Sequence, residues 1–180
     1  MSDAQNLRPQ IRRLDPPSML SLRAKPGTPG LAEAILAATG CALPEARRIT
    51  RAGEALCGWM SPDEYLLVLP AEQGAKALDA LHEGLKGQHH LAVDVSDARV
   101  YYAIEGAGAG DVLRRLTPAD VTDLGADELR RSRLAQVAAA FWQVPGEGES
   151  YRLVAFRSVG DYVGALLSGA AASASASGAV

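Results

Sequence analysis

The feature that most constrains this chain is that its middle reads twice. Trp59 falls against Trp142, and "DEYLLVLP" (Asp63 to Pro70) against "ESYRLVAF" (Glu149 to Phe156). The offset of about 85 residues is the signature of an internal repeat. A duplicated chain folds as two similar halves, so elements legible in one half are expected in the other.

In the first half "SMLSLRA" is a strand. "TPGLAEAILAATG" is a helix entered at Thr28-Pro29, a cap followed by a first-turn proline, and stopped by Gly40. "EALCGWM" and "EYLLVLP" are strand-like runs joined by the turn "SPD". "AEQGAKALDALHEGLKG" carries apolar residues at 75, 78, 81 and 85, a helical stripe, and "HLAVDVS" closes the half as a strand. In the second half "RVYYAIEG" is a strand, "GDVLRRLTP" a short helix, and Ala119 to Arg131 a connector. "LAQVAAAFWQV" and "SYRLVAF" are strands around "PGEGE", and "SVGDYVGALLS" is the closing helix. The expected fold class is α+β, with two similar β-α-β-β-α halves (about 18–95 and 99–168) in a single domain over 18–168. Its sheets are mostly antiparallel and covered on one side by helices.

Both ends read as appendages. Residues 1–17 are polar and rich in Pro and Arg, an extended arm that needs a partner surface to become ordered. Residues 169–180 are low-complexity Ala and Ser and are expected to be disordered. A chain of 180 residues is long enough to bury a core without staples. A net charge of −3, with no basic run longer than two residues, argues against a nucleic-acid surface. The N-terminus lacks the apolar segment of a signal peptide. The longest apolar region, "LAEAILAATGCAL", is broken by Glu33 and too short to span a bilayer. The expected location is therefore the cytoplasm, with neither membrane nor nucleic acid as partner.

The stretch most suggestive of chemistry is "VYYAIEGAGAGDVLRRL", a strand running into a glycine turn and a helix. A dinucleotide fingerprint needs a third glycine inside the first helical turn. Counting from Gly106 that position holds Asp111, and from Gly108 it holds Leu113, so both registers fail. No Gly-Lys-Ser/Thr follows, which removes a P-loop as well. A carboxylate at the helix start also occupies the electropositive end that a phosphate would need. Asp111 is read instead as the helix N-cap.

Other candidates are weaker. His89 and His90, with Asp94 and Asp97, suggest a metal, but adjacent strand residues point to opposite faces, and His82 lies on the preceding helix. "DVSDAR" (Asp94 to Arg99) is read as an Asx-type turn joining two strands, with Arg99 paired to Asp97, although it could equally hold a ligand. Cys41 and Cys57 sit in apolar surroundings and read as reduced core residues; two lone cysteines make no zinc site. Trp59 and Trp142 read as core anchors. No catalytic, cofactor-binding or metal-binding residue is assigned from the sequence.

Taken together, "WMSPDEYLLVLP", "AVDVSDARVYYAIEGAGAGDVLRRLTPADV", "RSRLAQVAAAFWQV" and "YRLVAFRSVGDYVGALL" resemble, in this order, the gamma subunit of heterotetrameric sarcosine oxidase. The resemblance covers about Ser18 to Leu167. It implies the folate-binding fold shared with aminomethyltransferases, built from two similar halves. It also implies a non-catalytic role in assembling an enzyme that oxidatively demethylates sarcosine to glycine. That enzyme passes the one-carbon unit to tetrahydrofolate and forms hydrogen peroxide. The partners implied are the alpha, beta and delta subunits. FAD, FMN, NAD, tetrahydrofolate and zinc are expected in those partner chains and no cofactor in this one. The alternative is a stand-alone folate-binding or aminomethyltransferase-like protein, for which Asp94 or Asp97 would be the candidate carboxylate.

Overall fold

A computed structural model describes residues 8–177. The parts of the expected arm and tail at 1–7 and 178–180 lie outside the described residues. The chain divides into two compact units. One comprises Pro16–Asp97 with Asp127–Leu129; the other takes the described residues up to Asp15, Ala98–Ala126 and the described residues from Arg130 onward.

The first unit is built on β2 (Ser18–Ala24), α1 (Leu31–Thr39), β3 (Ile49–Ala52), β4 (Ala55–Ser61), β5 (Glu64–Leu69), α2 (Gly74–Gly84) and β6 (His90–Asp94). Its five-stranded sheet has the order β3-β4-β5-β2-β6. The second unit uses β1 (Gln10–Leu14), β7 (Arg99–Glu105), α3 (Ala109–Leu116), β8 (Leu129–Leu134), β9 (Val137–Gln143), β10 (Ser150–Phe156) and α4 (Gly160–Ser177). Its sheet order is β1-β7-β10-β9-β8. The registered strand pairs are antiparallel. The two orders match element for element, with one exchange. The strand beside β2 is β6, the last strand of its own half. The strand beside β7 is β1, which precedes both halves.

Period-two alternation builds each core. Leu20 and Leu22 of β2, Cys57 of β4, and Leu67 and Leu69 of β5 face Leu31 and Ile35 of α1 and Leu81 of α2 in one cluster. In the other unit Tyr102 and Ile104 of β7, Phe141 of β9 and Leu153 of β10 face Val112 and Leu113 of α3 and Val163 and Leu167 of α4. The opposite face of the central strands is buried too, at Met19, Leu66 and Val68 in one sheet and at Ala103, Trp142 and Val154 in the other. Fully burying each large side chain contributes about 1.5–3 kcal/mol. The Tyr102 hydroxyl donates to the Gly160 carbonyl at 3.0 Å, anchoring the start of α4 to β7.

Several expectations are corrected. Residues 10–14, read as arm, are a strand. Arg12 of β1 reaches Glu105 of β7 at 2.7 Å, and Arg152 of β10 reaches the other oxygen of the same carboxylate at 3.0 Å. β3 was not expected at all. The connector expected over Ala119 to Arg131 ends in β8, and the strand expected from Leu134 is broken at Ala135, whose φ of 51° turns the chain into β9. The N-cap of α1 is Gly30; Thr28 instead donates its hydroxyl to the Lys25 carbonyl at 2.8 Å, closing the turn before the helix. Of the stripe expected on α2, Leu81 and Leu85 are fully buried and Leu78 packs half-buried against the same core, whereas Ala75 is exposed and Ala77 is buried in its place. Residues 169–177, expected as disordered tail, continue α4. Alanine has the highest helix propensity, and Leu167 and Ala171 on that helix join the core. No helix among the described residues is long and apolar enough to cross a membrane.

Gly84 lets α2 approach α1: a Cβ there would lie 2.9 Å from the Ala34 Cβ and 3.2 Å from its Cα. Overpacking of this kind costs about 1–3 kcal/mol, and the gain in helix propensity returns about 1 kcal/mol. Gly84→Ala is therefore expected to lose about 1 kcal/mol net, measured by urea unfolding. A second prediction concerns Glu105. Burial pushes its carboxyl up, but the hydrogen bonds and charges of Arg12 and Arg152 outweigh that and hold it below the usual carboxylate range. A depressed carboxylate stabilises the fold above its unfolded pKa of about 4.3, and this is lost as pH falls through the lower folded value. Glu105→Gln should melt below the parent at neutral pH, and the gap should close as the pH is taken below about 4.

Candidate functional site

The glycine turn is where a ligand would be sought first. Gly106 and Gly108 adopt φ of 94° and 83°, and Gly108 is the N-cap of α3. Asp111 is therefore not the cap. It lies in the first helical turn and pairs with Arg114 one turn on. The carboxylate that serves the helix start comes from elsewhere: Glu149, in the loop before β10, accepts the Gly110 N–H at 3.0 Å through its side chain. Its backbone carbonyl accepts the Gly106 N–H at 2.9 Å. A Cβ at Gly110 would stand 3.2 Å from the Tyr151 hydroxyl. The positive end of the α3 dipole is thus met by an internal anion, where a nucleotide-binding loop leaves room for an external one.

"DVSDAR" forms an Asx turn, as read. Asp94 Oδ1 accepts the Ser96 N–H at 2.8 Å and the Ser96 hydroxyl at 2.5 Å, while Ser96 Oγ accepts the Met19 N–H at 2.9 Å. This local network ties the end of β6 to β2 and engages the carboxylate oxygen. Arg99 lies with its guanidinium carbon 4.2 Å from the centre of the Phe156 ring, its neighbour across β7 and β10.

The histidines meet in a way the sequence did not suggest. His90 pairs with His82, not His89: His82 Nδ1 stands 3.4 Å from His90 Nε2. His90 Nδ1 is 3.0 Å from the Gln88 carbonyl. That carbonyl only accepts, so Nδ1 carries the His90 proton, and Nε2 is left to accept from His82. Among the described residues no three His, Cys, Asp or Glu side chains gather as a metal site. Cys41 and Cys57 are both buried and unbridged. Burial, with Cys41 nearby, pushes the Cys57 thiol far above its ordinary range, so it is no nucleophile at neutral pH. Trp142 is fully buried with its ring centre 6.2 Å from that of Tyr101, and Trp59 packs half-buried against its core, as read.

Two grooves remain. One, of about 520 Å³, lies between α3 and α4 and is lined by Arg115, Leu116, Tyr162, Leu166, Gly169 and Ser173. The other, of about 480 Å³, opens at the ends of β2 and β6 and is lined by Arg23, Lys25, Asp63, His89, His90 and Leu91. Beside it Glu64, nearly fully buried, accepts from Arg23 at 3.0 Å. Sequence reasoning missed Glu64 and Glu149 because each partner lies roughly 40 residues away. No local pattern announces such a pair.

The repeated five-stranded sheet with helices on one face defines a chain of the aminomethyltransferase fold. Over 90% of its length it matches glycine cleavage system aminomethyltransferase T from Bartonella henselae, covering 46% of that chain with a TM-score of 0.67. Identity is 14%, a likeness of fold alone. This chain belongs to the sarcosine oxidase gamma subunit family, whose model matches residues 23–173. Sarcosine oxidase subunit gamma of Corynebacterium sp. (strain U-96) is 35% identical over 142 residues, covering 76% of this chain and 66% of the relative. The subunit gamma of Arthrobacter sp. is 30% identical over 147 residues, covering 79% and 70%. The chain thus spans about two thirds of the length of these relatives. Among solved structures, heterotetrameric sarcosine oxidase from Corynebacterium sp. U-96, in complex with pyrrole 2-carboxylate, contains a chain matched with a TM-score of 0.84 at 26% identity. That match covers 96% of this chain and 90% of the other.

The state of the thiols gives a direct test. Ellman's reagent is expected to label neither Cys41 nor Cys57 in the native protein over minutes, and both in denaturant. Native labelling of either at the rate of an exposed thiol would contradict the burial described.

Proposed function

We propose that this chain is the gamma subunit of a heterotetrameric sarcosine oxidase and works by contact with its sister chains, without turnover of its own. The observation that carries this reading is membership of the gamma subunit family across residues 23–173. The backbone likeness to a chain of the Corynebacterium sp. U-96 enzyme supports it. The partners are alpha, beta and delta subunits. The assembled enzyme oxidatively demethylates sarcosine to glycine, transfers the one-carbon unit to tetrahydrofolate and releases hydrogen peroxide, in the cytoplasm. FAD, FMN, NAD, tetrahydrofolate and zinc belong to the partner chains.

The local chemistry of this chain supports the same reading. The helix start that would bind a phosphate is served by Glu149. The Asp94 carboxylate, a candidate under the stand-alone alternative, holds the Asx turn through Ser96. The buried Cys57 thiol is held in its neutral form. These three groups are engaged in shaping the fold.

Co-expression with the alpha, beta and delta chains tests the reading. The four are expected to co-purify in equal amounts, with sarcosine-dependent peroxide formation in the complex and none in this chain alone. Calorimetric titration of the isolated chain with tetrahydrofolate is expected to give no heat of binding. A micromolar isotherm would replace this reading with the stand-alone folate-binding alternative.

A further inference from the structure

Open sheet edges attract other strands, and proteins block them with charge, proline or short length. Three of the described edge strands are blocked by arginine: β1 by Arg12 and Arg13, β3 by Arg51, and β8 by Arg130, Arg131 and Arg133. The fourth, β6, reads "HLAVD" and carries no Lys, Arg or Pro. Leu91 and Val93 project from one of its faces and are 51% and 36% exposed, whereas Ala92 between them is buried on the other face.

The backbone of β6 has a defined parity. The Val95 N–H donates to the Met19 carbonyl at 2.8 Å, and the register then runs Asp94 with Leu20, Val93 with Ser21 and Ala92 with Leu22. Hydrogen-bonded and non-hydrogen-bonded pairs alternate in an antiparallel ladder. Residues 91, 93 and 95 therefore turn their backbone groups toward β2. His90, Ala92 and Asp94 turn theirs away from the sheet.

We infer that this edge pairs with β6 of a second copy of the chain, antiparallel about Ala92. In that register the outward backbone groups of His90, Ala92 and Asp94 meet those of Asp94, Ala92 and His90 in the other copy, in phase. Leu91 faces Val93 at the non-hydrogen-bonded positions, where side chains stand closest, so each exposed apolar residue covers another. The charges agree as well. Lys25, beside His90 at one end of the edge, carries a positive charge, and in each copy that end meets the Asp94 of the other. A slip by one residue sets outward groups against inward ones, and a slip by two removes both charge pairs. The contact is isologous and closes at two copies. It is independent of the sister subunits and stands or falls apart from the role proposed above.

Five residues a side is a small contact, so association is expected to be micromolar or weaker. Sedimentation equilibrium of the full chain from about 1 to about 500 μM brackets contacts of this size. The expected result is a reversible monomer–dimer equilibrium. The double variant Leu91→Lys/Val93→Lys alters exposed positions only; it should weaken the dimer about tenfold or more with an unchanged melting temperature. Ala92→Pro, which removes an outward N–H, should weaken it too. A wild-type chain that stays monomeric throughout, forms species larger than two, or dimerises as tightly with the double lysine variant would overturn the inference.

Discussion

Strands β2 and β7 each bury side chains on both faces, and a strand of that kind has to be hydrogen-bonded along both flanks. Its backbone groups lie among apolar side chains, and leaving one flank unpaired there costs about 1–3 kcal/mol for each orphaned group. Both units obey this constraint. Beside β2 the second flank is filled by β6, which returns from α2. Beside β7 it is filled by β1, drawn from the start of the chain. The exchange explains why a segment as polar as "QIRRL" is a strand at all: its backbone completes a ladder, and Arg12 answers Glu105 at the same time.

The same economy governs the places where chemistry was sought. Glu149 satisfies the first turn of α3, Asp94 holds Ser96 and through it β2, and the Cys57 thiol fills core volume. These groups are of the types that catalysis uses, yet each has a structural partner within its own unit.

What was legible in the sequence follows from where each element sits. Central strands such as "EYLLVLP" and "SYRLVAF" carry apolar residues on both faces and announce themselves. β1, β3 and β8 are edges, with one flank open and several side chains in water, so "QIRRL", "ITRA" and "LRRSRL" read as polar connectors. The break at Ala135 carried no glycine to mark it, and the helical end of α4 was masked by a composition that suits disorder as well as helix. Asp111 sat where a cap is expected, but Gly108 reaches the left-handed conformation without a Cβ penalty and starts the helix earlier.

The sequence by itself determined the duplication, the alternation of strands and helices, and the class of fold, because periodicity and turn residues act over a few neighbours. It also carried the family resemblance, since the recurrent stretches lie in the central strands and their turns. The tertiary structure alone decided which strand completes each sheet, which carboxylate meets the α3 helix start, and which histidine His90 faces. Those pairings join residues from 8 to more than 90 positions apart, and their energy comes from satisfying groups that only the folded chain brings together.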